Sequence, residues 1–457
     1  MDVNTRHVLI AGGGYVGMYT ALRLQKSLRS ELKRGEVKIT VVDPRSYMTY
    51  QPFLPEAAAG SVEPRHVVVP LRRVLPKTDV ITGRVLSINH ASKTARIEPR
   101  AGEAYDLKYD VLVSALGSVA RTLPIPGLAE QGIGFKQVEE AIALRNHVLD
   151  RLDLAASTDD EEVRRRALNF VFVGGGYAGV EALAELQDMA WYAVSRYYED
   201  IKPEEMRWVL VEASNRILPE VGEDLGRYTV DRLREAHIDV KLETRLESCV
   251  DGHVVLSDGT TFDSDTIVWT AGVKANPVLA KTDLPLDEKG RVRTRTDLRI
   301  EGLDDAWAAG DAAAVPDVTG APGALTSPSA QHSLRQAKLL GTNITASLRG
   351  GELRDYRWKH LGSLASLGLH KGAAQLVGIK IKGWPAWFLH RSYHLLQMPT
   401  LNRKIRIALD WTLALFFRRE VVSLGDLQHP RDEFRRTATP FSAKAEVPAP
   451  RKVGSRR

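Results

Sequence analysis

The residues of this chain best suited to chemistry are glycines. Gly12-Gly13-Gly14-Tyr15-Val16-Gly17 follows the apolar run Val8-Leu9-Ile10, and Gly174-Gly175-Gly176-Tyr177-Ala178-Gly179 follows Phe170-Val171-Phe172-Val173. Such glycines permit a tight strand-to-helix turn, let backbone approach a pyrophosphate and aim a helix N-terminus at its negative charge. Gly12, Gly14 and Gly17 are therefore candidate contacts to one cofactor, and Gly174, Gly176 and Gly179 to another. Each turn is followed by a second strand ending in an acid, Asp43 after Lys38-Ile39-Thr40-Val41-Val42 and Glu212 after Arg207-Trp208-Val209-Leu210-Val211. A carboxylate at that place can accept hydrogen bonds from ribose hydroxyls. One glycine turn alone is often a corner with no ligand; two complete units of strand, turn, helix, strand and acid imply two dinucleotides.

The elements that position these groups recur as one long-period repeat. The fold class is read as α/β, with two Rossmann-like dinucleotide-binding domains. Between the turns, Val80 to Ile97 alternates as a hairpin-like pair of strands, and Tyr109 to Gly117 is a strand ending in a small-residue turn. Thr266 to Gly272 echoes that strand in the second unit. Asp305 to Ala312 is a short strand delivering Asp311 at a turn made by Gly310, and the charged stretch Thr158 to Arg166 is a linker or helix end. Gly117, Gly272, Gly310 and Asp311 join the candidate cofactor contacts, although aspartate is also common in turns that bind nothing.

Composition narrows the class. A chain of 457 residues allows two to three domains with sizeable cores. The net charge of +6 is concentrated late in the sequence, where nucleic acid and an anionic membrane are both conceivable partners. The single cysteine, Cys249, rules out an internal disulfide framework, a cysteine-based metal cluster and dithiol catalysis; no metal is expected. No basic-then-apolar leader opens the chain and no run of eighteen apolar residues occurs, so neither export nor a spanning helix is expected.

At this level of detail the chain resembles the two-dinucleotide-binding flavoproteins, and within them the type II NADH dehydrogenases, which are single-subunit NADH:quinone oxidoreductases. The resemblance runs from about Arg6 to Leu424. It rests on the two glycine turns, Gln51-Pro52-Phe53-Leu54-Pro55-Glu56, Gly179-Val180-Glu181, Ala309-Gly310-Asp311, and Ala330-Gln331 with Gln336. It implies FAD in the first unit, NADH in the second and a quinone as electron acceptor. The chain departs from the family at Tyr15-Val16 and Tyr177-Ala178 within the turns, and at Ser333 and Ala337 in the helix after Asp311. The implied division is 1–118 with 274–345 for FAD, 119–273 for NADH, 346–425 for a membrane-associating region and 426–457 for a disordered basic tail.

The resemblance also assigns residues. Asp311 would hydrogen-bond the ribityl or phosphate-proximal hydroxyls of the flavin. Glu181, early in the second helix, is either a first-turn acid favoured by the helix dipole or a nicotinamide-side group. Glu212 suits the free 2′-hydroxyl of NADH and repels a 2′-phosphate, although Arg216 lies close enough in sequence to meet one. Gln331 and Gln336 offer uncharged amides to a quinone carbonyl, and His370 with Lys371 would line the same tunnel.

Two apolar sets near the end, Trp384 to Met398 and Ile405 to Phe417, are rich in Trp and Phe. They are bracketed by Arg391, Arg403, Lys404, Arg406, Arg418 and Arg419. Such segments suit helices lying in a membrane interface, here on the cytoplasmic face; a homodimer seam or a core helix pair is the other reading. Binding of nucleic acid is disfavoured because no fold signature supports it. A soluble NADH-dependent reductase of a small redox protein and a redox-sensing flavoprotein remain the alternatives.

Overall fold

The computed structural model describes residues 5–358, 362–417 and 419–423. Arg418 and the tail expected to be disordered, 426–457, lie outside them. Strand β1 (Arg6–Ala11) is buried over its last four residues, as a parallel strand covered on both faces must be. It feeds helix α1 (Tyr15–Ser27) through the first glycine turn, and the chain returns as β2 (Val37–Asp43) with Val8 opposite Ile39 and Ala11 opposite Val42. A short helix, α2 (Leu54–Ala58), carries Glu56 inward.

The first sheet has seven strands in the spatial order 306–308, 111–114, β1, β2, 79–89, 94–99, 105–108. The alternating stretch Val80 to Ile97 supplies an antiparallel pair, with Arg84 opposite Glu98. Ala306–Ala308 joins the other edge in parallel to Val111–Ser114, which brings Asp311 back beside the first glycine turn.

The second sheet has five parallel strands in the order Gly132–Gly134, Thr266–Trp269, β3 (Asn169–Val173), β4 (Arg207–Val211), Ile238–Lys241. Helix α3 (Tyr177–Tyr197) leaves β3 by the second glycine turn. The charged stretch before β3 is a helix, Glu161–Ala167, whose N-terminus is capped by Asp160 accepting from the amides of Glu162 and Val163. The two crossings between the units, Ser118–Ala120 and Val273–Ala275, pair with each other antiparallel.

Beyond Asp311, helix α4 (Ala330–Leu348) packs on α1; a Cβ at Gly341 would stand 2.7 Å from that of Arg23, so the approach needs a glycine. The region then forms a sheet the sequence reading left out, with β5 (Gly362–Ser366), Gly372–Leu376 and Ile379–Lys382 antiparallel in turn. Helix α5 (Trp384–Gln397) lies across this sheet, and α6 (Leu401–Phe416) follows it. No helix among the described residues is long and apolar enough to cross a membrane.

Candidate functional site

The two glycine turns are built alike. Gly12 and Gly174 hold φ of +108° and +118°, and a Cβ there would stand 2.2 Å from the Ala115 carbonyl oxygen and 2.8 Å from the Ala271 nitrogen. A Cβ on Gly17 or Gly179 would strike the carbonyl oxygen of Gly12 or Gly174, at 1.7 and 2.0 Å. The protein's own packing therefore dictates these four. Gly14 and Gly176 differ: each caps its helix in an extended conformation, and nothing lies within 4 Å of a Cβ built there. That open space, in front of a helix N-terminus, fits a pyrophosphate in both units.

Each strand-end acid holds its own turn. The Gly13 amide donates to Asp43 Oδ2 at 2.7 Å, and the Gly175 amide donates to Glu212 Oε2 at 2.6 Å. The other oxygen of each accepts from a following amide, Arg45 at 2.8 Å and Ser214 at 2.7 Å. Burial pushes the Asp43 carboxyl up, against those two amides and Arg45. A carboxylate oxygen has two lone pairs, so both acids keep acceptor capacity for ribose hydroxyls. Gly117 and Gly272 end the matching strands with φ of +66° and +88° and open space before them. Arg216 is exposed and donates to the Pro219 carbonyl at 3.1 Å, beside a cavity of about 420 Å³ between its loop and the C-terminal sheet.

At the third turn, Ser118 donates to Asp311 Oδ2 at 2.6 Å, and Lys136 donates to Ser118 at the same distance. Burial draws the Lys136 ammonium down, opposed by Asp311 and Glu140. Lys136 was not singled out in the sequence, because nothing local marks a lysine that will be half-buried near a distant aspartate. A Cβ on Gly310 would stand 2.7 Å from Val16 and 3.2 Å from the Ser333 hydroxyl, so the departure at Ser333 sits where space is short. Gln336 is buried with both polar atoms engaged: Oε1 accepts from the Gly310 amide at 2.8 Å and Nε2 donates to Thr326 at 3.1 Å. Gln331 is half-buried and more loosely held, donating to the Gly362 carbonyl at 3.4 Å and accepting from Arg335 at 3.3 Å. His370 and Lys371 lie exposed at the turn before Gly372–Leu376.

The largest addition to the sequence reading is a buried set of charges where α2, α3 and α5 meet. Glu181 is not a solvated first-turn acid. Its Oε1 accepts from the Ser366 amide at 2.8 Å and lies 3.2 Å from His390 Nε2. One turn on, Glu185 accepts from the Ser366 hydroxyl at 3.0 Å and pairs with Arg419 at 3.4 Å; Arg419 also reaches Asp188 at 2.8 Å. Glu56 pairs with Arg391 at 3.0 Å and accepts from the Trp411 indole at 2.8 Å. Burial lifts the Glu185 carboxyl despite Arg419. Burial also opposes charge on His390, but Glu181 and then Glu56 outweigh it and hold the imidazole above its ordinary range. The sequence carries one partial signal, the four- and three-residue spacing of Glu181, Glu185 and Asp188, which puts them on one face of a largely apolar helix without naming their partners.

The basic residues flanking the late apolar sets need a correction. Arg391 and Arg419 are buried in the pairs just described, so they do not face outward. Asp410 also turns inward, 2.6 Å from His66. Exposed instead are Trp384, Phe388 and Leu396 on α5, and Leu401, Ile405, Leu409 and Leu413 at four-residue spacing on α6, each half or more accessible. Arg403, Lys404 and Arg406 border that stripe.

Known proteins give the arrangement a context. Residues 6–337 match the pyridine nucleotide-disulphide oxidoreductase family. The type II NADH:quinone oxidoreductase of Staphylococcus aureus is 30% identical over 398 residues, covering 86% of this chain and 94% of that protein. That of Mycobacterium tuberculosis is 28% identical over 439 residues, covering 93% and 91%. Among solved structures, NDH2 of Plasmodium falciparum in complex with NADH superposes with a TM-score of 0.83 at 17% identity, over 91% of this chain and 99% of that one. The sulfide:quinone oxidoreductase of Aquifex aeolicus gives 0.65 at 17% identity, over 91% and 96%.

The open glycines separate the two sites. Gly14→Val is expected to fold yet lose flavin, because no protein atom lies within 4 Å of a Cβ built there and the added bulk would stand in the space that fits a pyrophosphate. Gly176→Val should keep flavin and lose NADH binding. Flavin absorbance and nucleotide titration of each purified variant check this, and retention of both ligands by either variant would refute the assignment.

Proposed function

The chain belongs to the pyridine nucleotide-disulphide oxidoreductase family and, within it, to the type II NADH:quinone oxidoreductases, and on that premise we propose how its residues divide the work. The observation that carries the reading is the duplicated turn, with open space before Gly14 and again before Gly176, in a chain whose one cysteine leaves no dithiol to take electrons. FAD held by these residues would supply the two-electron redox chemistry between NADH and a quinone. The first turn with Asp43, Gly117, Gly310 and Asp311 holds FAD; the second with Glu212 and Gly272 holds NADH. Residues 1–118 with 274–345 form the first unit and 119–273 the second. Gln331 donates to a quinone carbonyl, while Gln336 braces the Gly310–Asp311 turn. The apolar face of α5 and α6 rests on the cytoplasmic side of the membrane, from which the quinone enters. Assays of NADH oxidation with a short-chain quinone, with a soluble one-electron dye and with no acceptor test the whole; NADH oxidation that quinone does not accelerate would overturn it.

Nucleotide choice rests on Glu212. Removing its side chain would release both the Gly175 and Ser214 amides, so the milder substitution is Glu212→Gln, which keeps the shape and one acceptor oxygen, loses the charge and gives up one of the two amide contacts. A charge-assisted hydrogen bond contributes about 1.5–3 kcal/mol, so kcat/KM for NADH should fall by about tenfold or more, and the preference over NADPH should narrow. Wild-type efficiency equal for the two nucleotides would refute this role.

Membrane attachment is best tested without truncation, since removing α5 would strip partners from Glu181 and Glu56. Serine at Leu401, Ile405, Leu409 and Leu413 together should release the protein from anionic vesicles and slow reduction of a vesicle-borne quinone more than that of a soluble dye. Basic residues near an anionic surface contribute about 1 kcal/mol each, so high salt alone should release the wild type only in part. Sedimentation with vesicles is the measurement, and undiminished binding by the variant is the adverse result.

A further inference from the structure

Beside the close contact that Gly341 permits between α1 and α4, one turn of each helix lines an open cavity of about 470 Å³. Tyr19, Leu22 and Leu339 give it an apolar floor; Arg23, Lys338 and Arg354, all exposed, give it a cationic rim. No acid lines it, and among the described residues none of the three cations forms an ion pair. Arg349, further along the same pair of helices, does find an acid, Glu31 at 2.6 Å. The rim is held in place by uncharged groups. Arg23 Nε donates to the Thr342 hydroxyl at 3.3 Å, and the buried Asn343 side chain clamps the backbone of Arg354, accepting from its amide at 3.1 Å and donating to its carbonyl at 2.8 Å. Three like charges gathered at one cavity repel each other and favour an anion there. The cavity also adjoins the apolar stripe. The Tyr19 hydroxyl donates to the Gln397 carbonyl at 3.0 Å, at the end of α5 and between the exposed Leu396 and Leu401.

We propose that this cavity between α1 and α4 binds the headgroup of an anionic phospholipid taken from the membrane surface on which the protein rests. The inference rests on the attachment through α5 and α6 argued above. The chemistry of the lining selects such a ligand. A phosphodiester offers oxygens that a guanidinium can take two at a time, and Arg23 and Arg354 both have donors to spare beside the Lys338 ammonium. Leu22, Leu339 and the Tyr19 ring then cover the glycerol backbone and the first methylenes of the acyl chains, whose remainder runs back toward the stripe. Inorganic phosphate or a free nucleotide could use the rim but would leave the apolar floor in water. The volume lies in the range of about 300–1,000 Å³ usual for small-ligand pockets. Attraction between scattered basic residues and an anionic surface is diffuse; a built headgroup site adds a preference for one class of lipid and fixes how the molecule sits on it.

The test titrates the full-length holoenzyme by calorimetry with dihexanoyl phosphatidylglycerol below its micelle concentration, with dihexanoyl phosphatidylcholine and with inorganic phosphate. Phosphatidylglycerol should bind saturably, one lipid per chain, and the zwitterionic lipid and phosphate should bind about tenfold more weakly or worse. Arg23→Gln, Lys338→Gln and Arg354→Gln together remove only exposed groups, so flavin content should hold while phosphatidylglycerol affinity falls about tenfold or more. Lys26→Gln, Arg29→Gln and Lys33→Gln remove the same charge from exposed positions outside the cavity and should leave that affinity unchanged. Thr342→Glu sets an acid one helical turn from Lys338 and should weaken binding through a single substitution. Phosphate bound as well as the lipid would make this a free-anion site and overturn the proposal. Equal losses in the two triple variants, or no saturable lipid binding by the wild type, would overturn it as well. The attachment reading fails separately: a wild type that binds the soluble lipid but does not sediment with anionic vesicles would overturn attachment and keep the cavity site, whereas one that sediments without binding the soluble lipid would overturn the cavity site alone.

Discussion

A carboxylate cannot be buried without a partner, and this chain buries three at one point. Glu56 comes from the first nucleotide unit, Glu181 and Glu185 from the second, and their cations from the C-terminal region. None of the three parts can satisfy its own charges. The C-terminal helices are therefore more than an attachment: Arg391 and His390 on α5 and Arg419 beyond α6 complete a contact that fixes the two nucleotide units relative to each other. One member of that contact, Glu181, stands just after the second glycine turn, so the charges that join the three parts begin in the first turns of the helix that this glycine turn opens.

The turns show a second economy. In both units the strand-end acid does two jobs, tying down the middle glycine amide and offering its remaining lone pairs outward. The loop is thus ordered before any ligand arrives, and less entropy is lost on binding. Gln336 does the same for the third turn by accepting from Gly310, which fixes the direction of Asp311.

What was legible in the sequence was local. The glycine turns, the strand-end acids, the alternating pair after Val80 and the helix after Asp311 each follow from neighbours in the chain, and each stands where its pattern places it. The three-stranded sheet beginning at Gly362 was not legible, since its short strands with Gly and Ser lack a strong alternation. The buried charge set was illegible for a different reason. Arg391 and Arg419 sit among aromatics and other cations, the local signature of a basic flank, and only tertiary contact with Glu56 and Glu185 shows them to be internal. Glu181 could be placed on a helix but not oriented, because its partners Ser366 and His390 are far away in the sequence.

The final pair of helices inverts the usual pattern of a globular surface. On α5 His390 and Arg391 point inward while Trp384 and Phe388 are exposed; on α6 Asp410 and Trp411 reach the core side while Leu409 and Leu413 face out. Leaving apolar area in water forgoes about 25 cal/mol per Å², so a stripe of large side chains is a standing loss for a free-standing molecule. The polar inner face explains why the helices cannot turn over to hide it: rotation would strand Glu56 and Glu181 without cations, at a cost of several kcal/mol per unpaired charge. The orientation is locked from inside. The same ion pairs that join the C-terminal helices to both nucleotide units thereby hold the apolar stripe of α5 and α6 outward.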